Sequence, residues 1–204
     1  MKKVEWYFDY VSPFSYLQWA HQLPQLENVE IEYKPVLFAG LLKHWDHKGP
    51  AEIRDKRRYT YRHVLWLADQ LGVPFRMPVA HPFNPLPLLR ASIALGSPAP
   101  VIDRLFGYVW REGHVPAEKG PWQALLQDLD TTEAAIRAPE VKQQLFARGE
   151  EAIAKRVFGV PSLVVDGEVF WGVDGFAFFR QYLDDPDILA SPDMRAADEL
   201  PSGV

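Results

Sequence analysis

The order of periodic segments along the 204 residues predicts an α/β fold with a large helical block inside it. A strand, a helix and a second strand come first, a series of helices follows, and a hairpin with a final helix ends the pattern. With 48% apolar residues and no cysteine, the chain can bury a core but cannot form disulfides. We therefore expect the two strand-bearing ends to share one sheet, with the helical middle as an insertion.

The first strand is indicated by residues 4–10, VEWYFDY, which are rich in aromatic strand formers. Pro13 fits the first turn of a helix that would run to Gln22 and end near Pro24, and Ser12 then falls at the N-cap. The hydroxyl and the free N–H groups at that point would suit a phosphate, a carboxylate or a thiolate. Most serine-proline pairs only start a helix, so this pair does not by itself establish a site.

The second strand is predicted over residues 29–36, where apolar and charged side chains alternate. A long helix is predicted over 51–71, because apolar residues recur there at helical spacing and Gly72 with Pro74 then stop it. Four more helices, each opened by a proline, are predicted over residues 87–95, 100–111, 121–129 and 139–154.

Asp166-Gly167 predicts a two-residue hairpin turn, with positive φ at both positions, between strands 162–165 and 168–171. Val160-Pro161 at the head of this hairpin could be cis or trans. A helix over about 175–183 would close the sheet, and the acidic, proline-bearing segment after it reads as a loosely held tail.

Charge and composition exclude several classes of function. A formal charge of −5 argues against nucleic-acid binding. No apolar run is long enough to span a bilayer and no secretory signal is visible, so we expect a cytoplasmic protein without membrane contact. The six histidines show no metal-ligand spacing, so no metal site is predicted. Without cysteine, dithiol redox chemistry is excluded, and any sulfur chemistry must use a thiol from a bound molecule.

Three blocks resemble one known group of proteins: residues 8–16 (FDYVSPFSY), 110–113 (WREG) and 155–161 (KRVFGVP). They are similar to the 2-hydroxychromene-2-carboxylate isomerases and the kappa-class glutathione transferases, in which serine replaces the redox cysteine of a thioredoxin-like fold. The resemblance implies a thioredoxin-like fold with a large inserted all-helical domain. Its implied parts are a discontinuous thioredoxin-like domain over 1–37 and 155–184, a helical domain over 38–154 and a polar tail over 185–204.

The resemblance also implies a glutathione site at one end of the sheet, where Ser12 and Pro161 would be neighbours. Ser12 would contact the sulfur, and the backbone of Val160 would pair with the tripeptide like an added strand. The γ-glutamyl end would be held by Trp171, Gly172, Val173 and Asp174, with the Asp174 carboxylate facing the ammonium group.

The implied substrate is a small aromatic carboxylate. Lys43 would face its carboxylate, His47 stands where the family usually has asparagine, and Phe83 with Asn84 would line the pocket. Trp110 is a further aromatic side chain expected near the substrate.

Two more positions depart from the family pattern. Val173 replaces a polar residue and Gly175 replaces an arginine. Together with the histidine at position 47, these departures concern the identity of the substrate more than the binding of a thiol.

The implied activity is a glutathione-dependent isomerisation, in which the thiolate adds to a conjugated carbon, the bond rotates and the thiolate leaves. A kappa-class-like transferase or peroxidase remains an alternative, as does a thioredoxin-like protein that binds a peptide or thiol without chemistry. Related proteins suggest a homodimer.

Overall fold

A single mixed sheet joins the two ends of the chain in this computed structural model, which describes residues 1–201. The strands are β1 (Lys2–Phe8), β2 (Val29–Pro35), β3 (Ser162–Val165) and β4 (Glu168–Trp171), in the spatial order β2-β1-β3-β4. β1 runs parallel to β2 and antiparallel to β3, with Tyr7 opposite Ser162. The predicted α/β fold with an inserted helical block is confirmed.

The helices are α1 (Pro13–Leu17), α2 (Phe38–His44), α3 (Arg54–Gln70), α4 (Leu86–Ala94), α5 (Ala99–Trp110), α6 (Lys119–Asp128), α7 (Glu133–Ile136), α8 (Pro139–Ala154), α9 (Phe176–Asp184) and α10 (Pro192–Asp198). Short 3₁₀ turns cover Leu23–Gln25, Pro50–Glu52 and Pro186–Ala190. The predicted helices are present with ends shifted by a few residues, whereas α2 and α7 are too short to show a clear helical period and were not predicted.

The first helix differs from the prediction in its second half. After Leu17 the backbone widens into a π-helical turn over Gln18–Gln22, in which the Leu23 N–H donates to the Gln18 carbonyl. Such a turn inserts one residue into the helical repeat and is often found at functional sites. The predicted stop near Pro24 is correct.

The hairpin has the predicted turn, with φ of 54° at Asp166 and 89° at Gly167. The Val160–Pro161 bond is cis, which resolves the alternative left open by the sequence.

The segment after α9 differs from the loosely held tail that its composition suggests. It forms the 3₁₀ turn and α10, and the partly buried side chains of Ile188 and Leu189 pack against the main core. The last three residues of the predicted tail, 202–204, lie outside the described part of the chain.

The core lies on both faces of the sheet because side chains of β1 alternate in direction. Trp6 and Phe8 point into the larger core, where their rings stack with centroids 4.2 Å apart and Phe106 of α5 packs against both. Tyr7 points into a smaller core beneath α2 and α8. The helical block and the sheet therefore share one apolar interior on the larger side.

A partly buried group of charges ties α8 to the sheet. Lys34 of β2 lies 3.1 Å from Glu151 of α8 and 3.5 Å from Glu5 of β1, and Lys155 contacts both carboxylates. Paired charges of this kind keep each buried ion satisfied.

None of the helices in the described part of the chain has the length and apolar stretch that a bilayer crossing requires.

Candidate functional site

Ser12 caps the start of α1, as the sequence predicts. It has extended backbone angles, and its Oγ accepts a hydrogen bond from the Ser15 N–H at 3.2 Å. Ser12 is buried, with only 6% of the residue exposed. Because Oγ acts as an acceptor toward Ser15, its own hydrogen is available to donate to an anion.

Asp9 fixes the turn between β1 and Ser12. Its fully buried carboxylate accepts from the Val11 N–H at 3.0 Å and from the Phe38 N–H at 2.8 Å, and the Asp9 carbonyl accepts from the Ser12 N–H at 3.1 Å. Burial raises the pKa of Asp9 to about 7, although the backbone N–H groups act in the opposite direction. No role was predicted for Asp9, although an aspartate at the end of an otherwise apolar strand was a visible signal.

His81 supports the same turn from the other side. Its Nε2 lies 2.8 Å from the Val11 carbonyl oxygen, and its Nδ1 lies 2.8 Å from the Tyr61 hydroxyl. Since a carbonyl only accepts, Nε2 carries the hydrogen. Burial lowers the pKa of His81, which favours the neutral ring. Sequence reasoning missed this contact because 70 residues separate the two partners.

Trp110 was expected near the substrate, and the structure corrects this. The residue is fully buried, and its indole N–H donates to the Tyr10 carbonyl at 2.9 Å. It stacks on Phe75 with ring centroids 5.3 Å apart. Trp110 therefore supports the β1–α1 turn from inside the core and has no surface that a substrate could touch.

Val160 and Pro161 lie at the same end of the sheet as Ser12. Pro161 directly precedes β3, and the β1–β3 register places Tyr7 opposite Ser162, so the end of β1 and the start of β3 are neighbours. The Pro161 carbonyl accepts from the Gly172 N–H at 2.9 Å, which attaches the loop after β4 to the proline segment.

The loop 171–174 forms the outer wall of this region. The Trp171 side chain is half exposed and lies against Phe158 and over Gly159, where any Cβ would meet the indole. Gly172 has a φ of 84°, and Asp174 Oδ1 occupies the space that a Cβ at this position would need. Asp174 is exposed and makes no ion pair with any residue of 1–201, so its charge is available to a ligand.

The four predicted substrate residues are placed less tightly. Lys43 lies near the end of α2, and the helix ends before His47, so the two do not share a helical face. Both side chains are exposed. Phe83 is half-buried with its ring 6.2 Å from that of His81, whereas Asn84 is exposed and its Oδ1 accepts from the Leu86 N–H at 3.1 Å. Only Phe83 is linked, through His81, to the turn that carries Ser12.

The first turns of α3 carry several cations near this region. Among the described residues, none of them forms an ion pair, and all are exposed: Arg54, Lys56, Arg57, Arg58 and Arg62. Within the same part of the chain, no cluster of histidine and carboxylate side chains could hold a metal ion.

A thioredoxin-type sheet with serine at the start of its first helix and a cis-proline before β3 defines the class of protein. Residues 3–184 match the DSBA-like thioredoxin domain, and the chain belongs to this family. A solved structure of a 2-hydroxychromene-2-carboxylate isomerase superposes with a TM-score of 0.80 at 21% identity, covering 98% of this chain and all of that one, so it supports the fold.

Two relatives are similar in sequence over nearly their whole length. The chain is 26% identical over 193 residues to the 2-hydroxychromene-2-carboxylate isomerase of Sphingobium xenophagum, covering 89% of this chain and 98% of the relative. It is 26% identical over 209 residues to glutathione S-transferase kappa 2 of Caenorhabditis elegans, covering 91% and 93%. The resemblance identified from the motifs is confirmed, and the named relatives are an isomerase and a glutathione transferase.

Proposed function

We propose that the chain is a glutathione-dependent isomerase of an aromatic pyruvate or chromene carboxylate. The observation that carries the proposal is Ser12, whose Oγ accepts from Ser15 and can therefore turn its hydrogen toward a sulfur anion. The chain has no cysteine, so the sulfur must belong to a bound thiol. The name of the kappa-class relative supports glutathione as that thiol.

Glutathione would lie along the end of the sheet. Its backbone would pair with Val160 before the cis-proline, and its γ-glutamyl ammonium would face Asp174. Trp171, Gly172 and Val173 would contact the rest of that end. A free thiol has a pKa near 8.5, and a hydrogen bond from Ser12 to the thiolate favours the ionised, nucleophilic form.

The reaction needs no net consumption of the thiol. The thiolate forms a C–S bond to a conjugated carbon, and the displaced π electrons move to the substrate's carbonyl oxygen as an enolate. The former double bond is then single and can rotate. When the enolate electrons return, the C–S bond breaks, the double bond re-forms in the other geometry and the thiolate is released.

The polar residues predicted to bind the substrate would act on its negative charges. Lys43 would bind the carboxylate, and His47 or Asn84 would donate to the enolate oxygen as its negative charge develops. Phe83 would pack against the aromatic ring. Exposure of the three polar side chains makes them available to a ligand.

A kappa-class-like transferase or peroxidase is the second candidate. Its support is the kappa-class relative, which is as similar in sequence as the isomerase. In the transferase the adduct would persist, and in the peroxidase two glutathione molecules would be oxidised to the disulfide while a hydroperoxide is reduced to an alcohol and water. A protein that binds a peptide or thiol without chemistry would use the same site.

The deciding experiment incubates the purified protein with reduced glutathione and each pure isomer of the aromatic 2-oxo acid that 2-hydroxychromene-2-carboxylate isomerases interconvert. Isomers are followed by chromatography, and free thiol is titrated in parallel. We expect both isomers to reach one equilibrium mixture only when glutathione is present, with the thiol concentration unchanged. Loss of thiol in step with product would instead identify the transferase, and loss of thiol only after a hydroperoxide is added would identify the peroxidase. If calorimetry shows that glutathione binds but neither isomer is converted, the chain is a protein that binds a thiol without chemistry.

The homodimer, which rests on the resemblance, and the cytoplasmic location, which was predicted from the sequence, also stay proposals. Light scattering of the purified chain tests the first of them.

A further inference from the structure

We propose that Gln18 and Gln22 are positioning residues that hold the loop 172–174 in the conformation that receives the γ-glutamyl end of glutathione. This inference rests on the proposed function, since it concerns the same site. It assigns a task to the π-helical turn Gln18–Gln22, which the sequence analysis predicted as ordinary helix.

The two glutamines form one continuous chain of hydrogen bonds. The Trp6 indole N–H donates to Gln18 Oε1 at 2.7 Å, and Gln18 Nε2 donates to the Gly172 carbonyl at 3.1 Å. Gln18 Nε2 also donates to Gln22 Oε1 at 3.1 Å, and Gln22 Nε2 donates to the Val173 carbonyl at 2.7 Å. We call these two amides the glutamine brace.

The hydrogen-bond partners at both ends of the brace fix the orientation of its two side-chain amides. An indole N–H can only donate, so it requires the oxygen of Gln18, and backbone carbonyls can only accept, so they require the amide nitrogens. Gln18 is completely buried, so losing its side chain would leave the buried Trp6 indole N–H without its partner. The brace therefore has one arrangement in which all its partners are satisfied.

The brace acts on the peptide that carries the proposed ammonium ligand. Gly172 is held on both sides, because its N–H donates to Pro161 and its carbonyl accepts from Gln18. Asp174 Oδ1 occupies the space that a Cβ at position 172 would need, so the carboxylate lies beside the peptide that the brace holds. Asp174 itself is exposed.

The π-helical turn makes this connection possible. Ser12 lies at the start of the same continuous helical segment, and the glutamines lie in its wide turn, where both amides reach the loop after β4. The sulfur end and the γ-glutamyl end of the site are thus set by one segment of chain. If the spacing between these two ends is fixed before binding, less of the protein has to become ordered when the tripeptide binds. The affinity for the whole tripeptide is then higher.

The test measures binding of reduced glutathione by calorimetry to the wild type, Gln22→Leu and Gln18→Leu. Gln22 is half-buried, so its variant is the one expected to fold without difficulty. Gln22→Leu removes the bond from Gln18 and the bond to the Val173 carbonyl. We expect it to weaken binding about tenfold, the effect of losing about 1.4 kcal/mol from the bond that holds the loop. In turnover assays the change should fall on the KM for glutathione, with kcat nearly unaltered.

A matched control lies on the next turn. Gln25 is exposed, and its amide donates only to the His21 carbonyl among the described residues. Gln25→Leu should bind glutathione like the wild type. Circular dichroism and melting curves compare the folding of all three variants.

A double-mutant cycle separates positioning from general support of the fold. If the brace acts through Asp174, Gln22→Leu should weaken binding much less when Asp174→Asn is already present. A glutathione analogue without the α-amino group should likewise be affected less than threefold, since it never uses the aspartate.

Three outcomes would overturn the inference. Folded Gln22→Leu and Gln18→Leu proteins that bind glutathione like the wild type would overturn the brace alone. Equal weakening with and without Asp174 would show that the glutamines only support the fold. Absence of binding by the wild type would overturn the proposed function, and the brace with it.

Discussion

The thiol side and the substrate side of the candidate site are built in different ways. On the thiol side, Ser12, Asp9 and Gly172 have their polar groups engaged in defined hydrogen bonds beneath the surface. On the substrate side, the side chains of Lys43 and His47 are exposed and contact little. If the proposed function is correct, the chemistry of the thiol would depend on the hydrogen-bonded part of the fold, whereas the choice of substrate would depend on exposed residues that can change without disturbing it.

The largest effect is expected from Ser12→Ala, which removes the proposed donor to sulfur. We expect the isomerisation rate to fall by roughly 10² to 10³, the typical effect of losing one donor at a developing anion. The matched control is Ser15→Ala, because Ser15 is fully buried and its Oγ has no hydrogen-bond partner among residues 1–201.

Ser15→Ala should keep full activity, and it should not lower the melting temperature, since it removes an unpaired buried hydroxyl. Initial rates and thermal melts of both variants are the measurements. A Ser12→Ala protein as active as Ser15→Ala would remove the distinction between the two sides of the site.

The next effect concerns stability and is expected from Asp9→Asn. In the folded protein the pKa of Asp9 is raised from 3.8 to about 7 by burial, so the protonated form is favoured by folding. The stability from this preference is complete below the unfolded pKa and is lost as pH rises through the folded pKa. The advantage of wild type over Asp9→Asn should therefore shrink by about 2 to 3 kcal/mol between pH 5 and pH 8.

Urea unfolding at a series of pH values measures this difference. Taking the difference between the two proteins removes the contribution of other groups that titrate in both, including His81, whose pKa is lowered. A constant difference across the series would mean that the carboxyl group of Asp9 is not desolvated as the structure describes.

The sheet and most helices follow from local signals in the sequence. The aromatic run of β1, the alternation of β2 and the Asp166-Gly167 turn each express a preference of the backbone within a few residues, and all three are found. The helix α2 and the π-helical turn could not be predicted in this way. They depend on contacts such as that of Phe38 with Asp9, which are made only after folding.

The candidate site shows the same division. Ser12, Pro161 and Asp174 were identified because their local patterns match a known family. The contacts of Gln18 and His81 were missed because their partners, Gly172 and Val11, are distant in the sequence. The prediction that Trp110 lies near the substrate was wrong. It was made because an aromatic side chain can contact an aromatic substrate, whereas the full burial of Trp110 assigns it to the core.

The smallest effect is expected from Lys43→Ala on the exposed side. Since the side chain is exposed and Lys43 has no ion-pair partner within the described residues, its removal should leave the free energy of unfolding within about 0.5 kcal/mol of wild type. The KM for the aromatic carboxylate should rise about tenfold, because one charged contact is lost, while glutathione binding measured by calorimetry should not change. Lys48→Ala, on the same exposed stretch, is the control and should alter neither quantity. If Lys43→Ala weakened glutathione binding as strongly as it raised the substrate KM, the two sides would not be separate, and the lysine would belong to the thiol side.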